Sequence, residues 1–209
     1  MKFVVLISSG IDSPVATYLI SKKADEIILV HSDNRPFTDE KEINNFISII
    51  KYLKKIIKSK IKTYIVPHGN TLISYKKNCE DRFTCVFCKR MMVKYAEKIA
   101  EKEKAEALVM GDSLGQVASQ TLQNIKVVDS AVKIPILRPL IGFDKEDVVK
   151  IARKIGTYEL SILPSAGCSA VPNKPATRAR FEDILEEEKK LNIEKIVKEA
   201  VDNSKVIVL

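Results

Sequence analysis

The sequence predicts an α/β protein: a five-stranded parallel sheet with helices on both faces and a helical extension at the C-terminal end. Three observations lead there. Short apolar runs alternate with longer amphipathic stretches, the βαβ rhythm of a parallel sheet covered on both sides. Hydrophobic residues make up 45% of 209 positions, enough for one sizeable core. The first apolar run, Phe3 to Ile7, passes straight into the small residues Ser8 to Ser13 and then Pro14. Proline suits the first turn of a helix, so this is a tight strand-to-helix turn.

Taken in order, strands are expected at 3–7, 26–31, 62–66, 106–110 and 134–137. Helices are expected near 14–23, 39–58, 89–103, 115–126 and 144–155. Residues 178–202 are charged and periodic and read as one or two helices packed on the outside. No repeat, low-complexity tract or linker interrupts the chain, so one domain over 1–209 is expected, with 178–209 as its extension. The first strand begins at once, so no N-terminal accessory domain is expected. Crossovers should be right-handed. Ligands of such sheets sit beyond the carboxyl ends of the strands, near a topological switch point. That directs attention to 8–13, 31–38, 111–116 and 138–145.

The net charge of +8 permits a polyanionic partner such as RNA, although a lysine-rich surface also serves solubility. No apolar run approaches the ~20 residues of a membrane span. The strand after Lys2 is too short for a signal-peptide core. No membrane partner and a cytoplasmic location are expected. Cys79, Cys85, Cys88 and Cys168 would then stay reduced, pointing to metal or sulfur chemistry rather than disulfides.

Small residues at 8–13 let backbone N–H groups face outward at the positive end of a helix dipole, a ready anion site. The turn is neither a Walker A loop nor a dinucleotide fingerprint, because Gly10 stands alone. An ordinary βα turn would have similar composition. The order Ser8-Ser9-Gly10-Ile11-Asp12-Ser13 resembles the S-G-G-x-D-S loop of the PP-loop ATP pyrophosphatases. Those are Rossmann-like (HUP-like) domains that split ATP between its α- and β-phosphates and adenylate a carbonyl oxygen. The resemblance implies that Ser8, Ser9, Gly10 and Ser13 donate to pyrophosphate. It implies that Asp12 helps hold Mg²⁺ or orients the α-phosphate, since a carboxylate facing phosphates needs a cation between them. Ser9 departs from the usual glycine.

Further along, "GIDSPVA" (10–16), "GDSLGQVASQTL" (111–122) within 89–125, "ILRPLIGFDKEDVV" within 136–162, and "NKPAT" (173–177) are similar to the catalytic domain of the tRNA 4-thiouridine synthetase family. This resemblance covers almost the whole chain. It implies that Leu6, Ile7, His31 and Ser32 wall in the adenine and offer it hydrogen bonds, His31 mostly through its backbone. Gly111 would allow close approach to the nucleotide, and Gln120 would bond the base or ribose. Where the family usually has an arginine, this chain has Lys89 followed by Arg90, and either is a candidate ATP contact. Lys145 would be the catalytic lysine that stabilises charge as pyrophosphate leaves. Met91 and Met92 read as core.

Cys85-x-x-Cys88 sits at the mouth of a helix. Such spacing lets two thiolates face one metal, and the helix N-terminus should lower both thiol pKa values. Zinc, redox and cluster readings all remain open on spacing alone. The resemblance to archaeal members of the family implies that Cys85, Cys88 and Cys168 hold an iron–sulfur cluster with one iron left open. A zinc site completed by Cys79 is one alternative. Persulfide chemistry at Cys168, with the C-x-x-C as reductant, is another.

The implied function is an ATP-dependent tRNA sulfurtransferase. A uracil carbonyl oxygen is adenylated, and sulfur from sulfide or a persulfide carrier then replaces AMP. Catalytic roles fall to Asp12, Lys145 and Cys168. Family members carry an RNA-binding THUMP region before this domain, and many bacterial ones a sulfur-carrying rhodanese domain after it. Neither is expected here, so a separate RNA-binding partner or a homodimer is. Lys174, Arg178 and Arg180 are candidate RNA contacts, with Lys51, Lys54, Lys55 and Lys58 as a weaker set. Two rivals remain: a PP-loop enzyme acting on a small acceptor, such as sulfur supply for thiamine, and a non-catalytic nucleotide- or zinc-binding module.

Overall fold

A computed structural model describes residues 1–207. Five parallel strands, β1 (Lys2–Leu6), β2 (Glu26–Asp33), β3 (Lys60–Pro67), β4 (Ala107–Val109) and β5 (Ile136–Leu137), follow the predicted runs closely. A sixth, β6 (Lys205–Ile207), pairs antiparallel with β3. Among the described residues the sheet is therefore six-stranded, in the order β5-β4-β1-β2-β3-β6. The expected count of five missed β6 because three half-exposed residues carry no periodic signal. Its place within 178–209 also corrects the wholly helical extension expected there; residues 208 and 209 lie outside the described residues.

The helices are α1 (Asp12–Ser21), α2 (Glu40–Ile56), α3 (Gly69–Asn78), α4 (Thr84–Glu103), α5 (Leu122–Asp129), α6 (Lys145–Ile155), α7 (Tyr158–Ser161), α8 (Phe181–Lys189) and α9 (Ile193–Asp202). Strand alternation sorts them into two layers. Phe3, Val5, Ile27 and Leu29 pack against Phe46, Ile49, Ile50 and Leu53 of α2. Val4, Leu6, Ile28 and Val30 face the other way, onto α4 and the C-terminal helices. Both faces of the central strands are buried, which is why those runs are continuously apolar.

Three boundaries bear on function. α4 starts five residues before the predicted 89, so Cys85 and Cys88 lie in its first turns. The predicted helix 115–126 is divided into a 3₁₀ turn at Ala118–Gln120 and α5, which Thr121 caps through Asn124 N at 3.3 Å. The C-terminal helices are more than an outer layer, because Ile184, Val197 and Ala200 are buried in the same apolar cluster as α4. No helix among the described residues is long and apolar enough to cross a membrane.

Candidate active site

β1 pairs with β2 on one side and β4 on the other, so the chain changes direction across the sheet between β1 and β4. This is the switch point where ligands of open α/β sheets bind. The turn after β1 and Gly111 after β4 meet there. A Cβ built on Gly111 would sit 2.8 Å from Ser13 Cα and 2.9 Å from Ser13 N. Only glycine lets these backbones touch, so Gly111 supports the turn directly. A cavity of about 190 Å³ opens beside them, lined by Ser8, Gly10, Asp12, Ser13, Gly111, Asp112 and Gln120 among others. Larger depressions of about 530 Å³ lie against α9, lined by unrelated side chains.

The turn displays its preference for anions. Ser8 N donates to Ser13 Oγ at 2.9 Å, and Gly10 N donates to Ser8 Oγ at 3.3 Å. A carboxylate, Glu42, accepts from Ser9 Oγ at 2.6 Å and from Ser9 N at 3.5 Å. Glu42 escaped the sequence analysis, since nothing local ties α2 to this turn. It also gives the departure from glycine at position 9 a physical role.

Two charge clusters flank the turn. Lys145, on the first turn of α6, donates to Asp12 Oδ1 at 2.7 Å, a pair formed across 133 residues of sequence. Asp112, 5% exposed, accepts from Lys89 Nζ at 2.7 Å, Arg138 Nε at 3.1 Å and Gln120 Nε2 at 3.3 Å. Burial alone would raise the Asp112 carboxyl; the two cations outweigh it and hold the carboxyl below its ordinary value. Asp112 and Arg138 were not among the predicted site residues. The choice between Lys89 and Arg90 is made by helix geometry. Arg90 is 1% exposed and bonds Glu188, the Val127 carbonyl and Ser130, turned away from the turn. The expected ATP contact at Arg90 is thereby corrected to a structural ion pair, while Lys89 reaches Asp112, which lines the cavity.

The seven buried side-chain polar atoms that lack a partner among the described residues belong to His31, Ser32, Asn34, Thr38, Ser113, Gln116 and Gln120. Six fall within 31–38 and 111–116, two of the four segments that the sheet topology singled out, and Gln120 lies four residues beyond the second. Leaving such an atom unpaired costs about 1–3 kcal/mol, so seven at one sheet edge mark a surface built to bond something. His31 stacks on Phe46 with centroids 4.1 Å apart, and its Nδ1 meets the Ile7 carbonyl at 3.0 Å. Burial lowers its imidazole despite that carbonyl. Ile7 also donates its N–H to Val30 O at 3.0 Å, so both its backbone groups are already used. Leu6 and Ile7 offer apolar surface, and Ser32 and His31 offer side-chain polar atoms where the expectation for His31 was mainly backbone.

The cysteines separate into two places. Cys85 and Cys88 on α4 and Cys168 on the strap 163–180 lie close enough that a charge on one raises the proton affinity of its neighbours. Asn34 Nδ2 sits 4.0 Å from Cys168 Sγ, and His68 Nε2 sits 3.3 Å from Cys88 Sγ. Cys79 is elsewhere, packed on α8 with its thiol directed at the Glu187 carbonyl 3.4 Å away. Its surroundings push it up to about 11, chiefly by burial, and they contain Glu187 rather than the other thiols. The helix N-terminus was expected to lower Cys85 and Cys88. Burial instead raises both, because a low-dielectric surrounding disfavours a thiolate, and the neighbouring thiols add to it.

Among the described residues, no three His, Cys, Asp or Glu side chains converge tightly enough to hold a single metal ion. Around one zinc, sulfurs lie only ~3.8 Å apart, given a Zn–S bond of about 2.3 Å. In a cubane each cysteine binds a different iron, so three looser thiolates suit a cluster better than one ion. Of the RNA candidates, Lys174 and Arg178 are exposed on the strap and Arg180 pairs with Asp183 at 2.6 Å. Lys51, Lys55 and Lys58 are exposed on the α2 side.

The switch-point turn, flanked by lysines and with thiols on the same sheet edge, gives this α/β domain a candidate anion site beside a cysteine site. Residues 1–193 match the ThiI family, described as "Thiamine biosynthesis protein", and the chain belongs to that family. It is 44% identical over 201 residues to a probable tRNA sulfurtransferase of Methanothermobacter thermautotrophicus, covering 95% of this chain and 51% of that one. A protein of the same name from Methanobrevibacter smithii is 46% identical, covering 97% and 53%. Among solved structures it is similar to a 4-thiouridine synthetase in complex with RNA and bound ATP. The TM-score there is 0.95 at 36% identity, over 100% of this chain and 55% of that one. The chain thus spans about half the length of these relatives.

Proposed function

We propose that this domain is the ATP-using half of a tRNA sulfurtransferase that makes thiouridine. The observation that carries the reading is the unpartnered polar edge beside the anion turn, which lies on the same edge as three thiols. The similarity to an ATP-bound 4-thiouridine synthetase supports it.

ATP binds across the strand ends with its pyrophosphate in the turn at Ser8–Ser13, where Ser9 exchanges Glu42 for phosphate and Ser8, Gly10 and Ser13 offer further donors. Leu6, Ile7, His31 and Ser32 flank the adenine, and Gln120 and Lys89 reach the nucleotide from the β4 side. Asp12, in the first turn of α1, is the residue that would hold Mg²⁺, which would neutralise phosphate charge there, and its partner Lys145 lies within reach of the same phosphates. A uracil carbonyl oxygen attacks the α-phosphorus and pyrophosphate leaves, its charge met by Lys145 and the turn. The oxygen, a poor leaving group, now departs as AMP when sulfide attacks the ring carbon; if a persulfide carrier attacks instead, a second thiolate then cleaves the S–S bond so formed, leaving thiouridine and a disulfide with the carrier. Cys85, Cys88 and Cys168 are the residues that would hold an iron–sulfur cluster. Held by three cysteines, such a cluster would supply an iron able to take up sulfide. Lys174, Arg178 and Arg180 approach the tRNA, with further contacts from an additional RNA-binding module or a second copy.

The test is pyrophosphate release measured with tRNA, with free uridine and with no acceptor, alongside mass spectrometry of digested tRNA. tRNA-dependent release with one thiouridine per AMP is expected. Release stimulated only by a small acceptor would favour the thiamine-type reading that the family description carries. ATP binding without AMP formation would make this a non-catalytic module.

A further inference from the structure

His68 lay outside every motif that the sequence analysis singled out, yet it is fully buried against the cysteine group. Its backbone is fixed between β3 and α3: His68 N donates to Asp33 O at 2.8 Å, and Leu72 N donates to His68 O at 3.2 Å. The next residue must be glycine, because a Cβ on Gly69 would land 1.7 Å from the Arg35 carbonyl oxygen. The ring is held as firmly. Nδ1 meets the Tyr95 hydroxyl at 3.1 Å, Tyr95 meets Thr71 Oγ1 at 2.9 Å, and Nε2 meets Cys88 Sγ at 3.3 Å. His68 and Tyr95 are 0% exposed and Thr71 is 4% exposed.

The direction of this chain can be worked out from donor counts. A buried imidazole with no carboxylate against it is neutral and carries one N–H. Thr71 Oγ1 has no hydrogen-bond partner other than Tyr95 among the described residues. If Thr71 donates to Tyr95, Tyr95 donates to Nδ1, and the N–H is left on Nε2, pointing at the sulfur. Every hydrogen on oxygen and nitrogen then has an acceptor, and only the Cys88 S–H, a weak donor, goes without one. Reversed, the Thr71 proton has none within the protein.

The geometry points to His68 as a positioning residue that donates Nε2–H to the Cys88 sulfur, oriented through Tyr95 and Thr71. This rests on the reading of Cys88 as a cluster ligand. Ligand groups of metal sites are commonly oriented by such outer hydrogen bonds, and donors to a sulfur stabilise the electron-rich, reduced state of a cluster.

Two measurements on the full chain test it. The first is the ring tautomer, read from ¹⁵N shifts of metal-free, reduced protein; with only two histidines, a His31 variant assigns the signals. The Nε2–H form is expected in the wild type, and Tyr95→Phe should weaken that preference. An Nδ1–H form in the wild type overturns the proposal. The second is the midpoint potential after anaerobic reconstitution with iron and sulfide. His68→Leu should lower it by about tenfold in the reduction equilibrium, 59 mV for one electron. His68→Gln, which keeps a donor, should restore most of the shift, and Tyr95→Phe should give a smaller one without touching the sulfur. A cluster of unchanged potential in His68→Leu and Tyr95→Phe overturns the proposal. If the wild type takes up no iron, the cluster reading fails, while the tautomer still decides whether His68 donates to Cys88.

Discussion

The two ends of this sheet edge handle charge in opposite ways. At the turn, charges are many and paired: Asp12 with Lys145, and Asp112 with Lys89 and Arg138. Around Cys88 the direct contact is a neutral histidine backed by two hydroxyls, with two thiols as neighbours, and the one cation felt there is Lys89, whose carboxylate partner Asp112 belongs to the first region. The first region pairs Asp12 and Asp112 with cations and sets lysines beside backbone and hydroxyl donors, the arrangement the proposed pyrophosphate would need. The second is a low-dielectric site in which burial makes the Cys85 and Cys88 thiols hold their protons more tightly. A reaction that first expels pyrophosphate and then brings in sulfur needs both environments, and the fold keeps them adjacent without mixing them.

The largest expected effect separates the two regions outright. Asp12→Ala should abolish AMP formation while leaving iron and acid-labile sulfide content at the wild-type level. Cys85→Ala should do the reverse, losing iron and thiouridine while adenylation continues. Loss of both activities in either variant, by assay of pyrophosphate and metal in one preparation, would break the comparison. Next in size, Lys145→Ala should slow pyrophosphate release by roughly 10²–10³, the usual cost of removing one group that meets developing charge.

Stability sharpens the contrast further. Asp112→Asn should destabilise the fold by about 1.5–3 kcal/mol at neutral pH, as charged hydrogen bonds to Lys89 and Arg138 weaken. Because the folded carboxyl lies below its ordinary value of 3.8, its contribution is present above that value and is lost as pH falls through the lower folded one. The gap in melting temperature between wild type and variant should therefore close on acidification below about pH 4. Smallest is Gly111→Ala, at about 1–3 kcal/mol, because the added methyl must push Ser13 aside. Weaker ATP binding with unchanged iron content, from an ATP titration and a metal assay, would confine that damage to the turn.

Much of this was readable in advance. The five parallel strands follow apolar runs that any buried strand requires, and the turn's small residues announce themselves between a strand and a proline. Cys85 and Cys88 are marked by spacing. What was not readable depends on packing. β6 is three residues at a sheet edge. α3 buries few apolar positions and has a weak period, and α4 begins upstream of its obvious amphipathic stretch.

The sequence by itself determined the βαβ order, the anion turn and its position after β1, and the presence of thiols for the same edge. Those are local properties: alternation, small residues, a proline, a C-x-x-C. Tertiary structure alone decided that Lys89 rather than Arg90 faces the turn, since neighbours on a helix point about 100° apart and only packing says which side is inward. It alone put Glu42 on Ser9, set Cys79 apart from the other thiols, and brought His68 to Cys88. Each of these joins residues from different elements, and no local pattern encodes which distant backbone will arrive beside them.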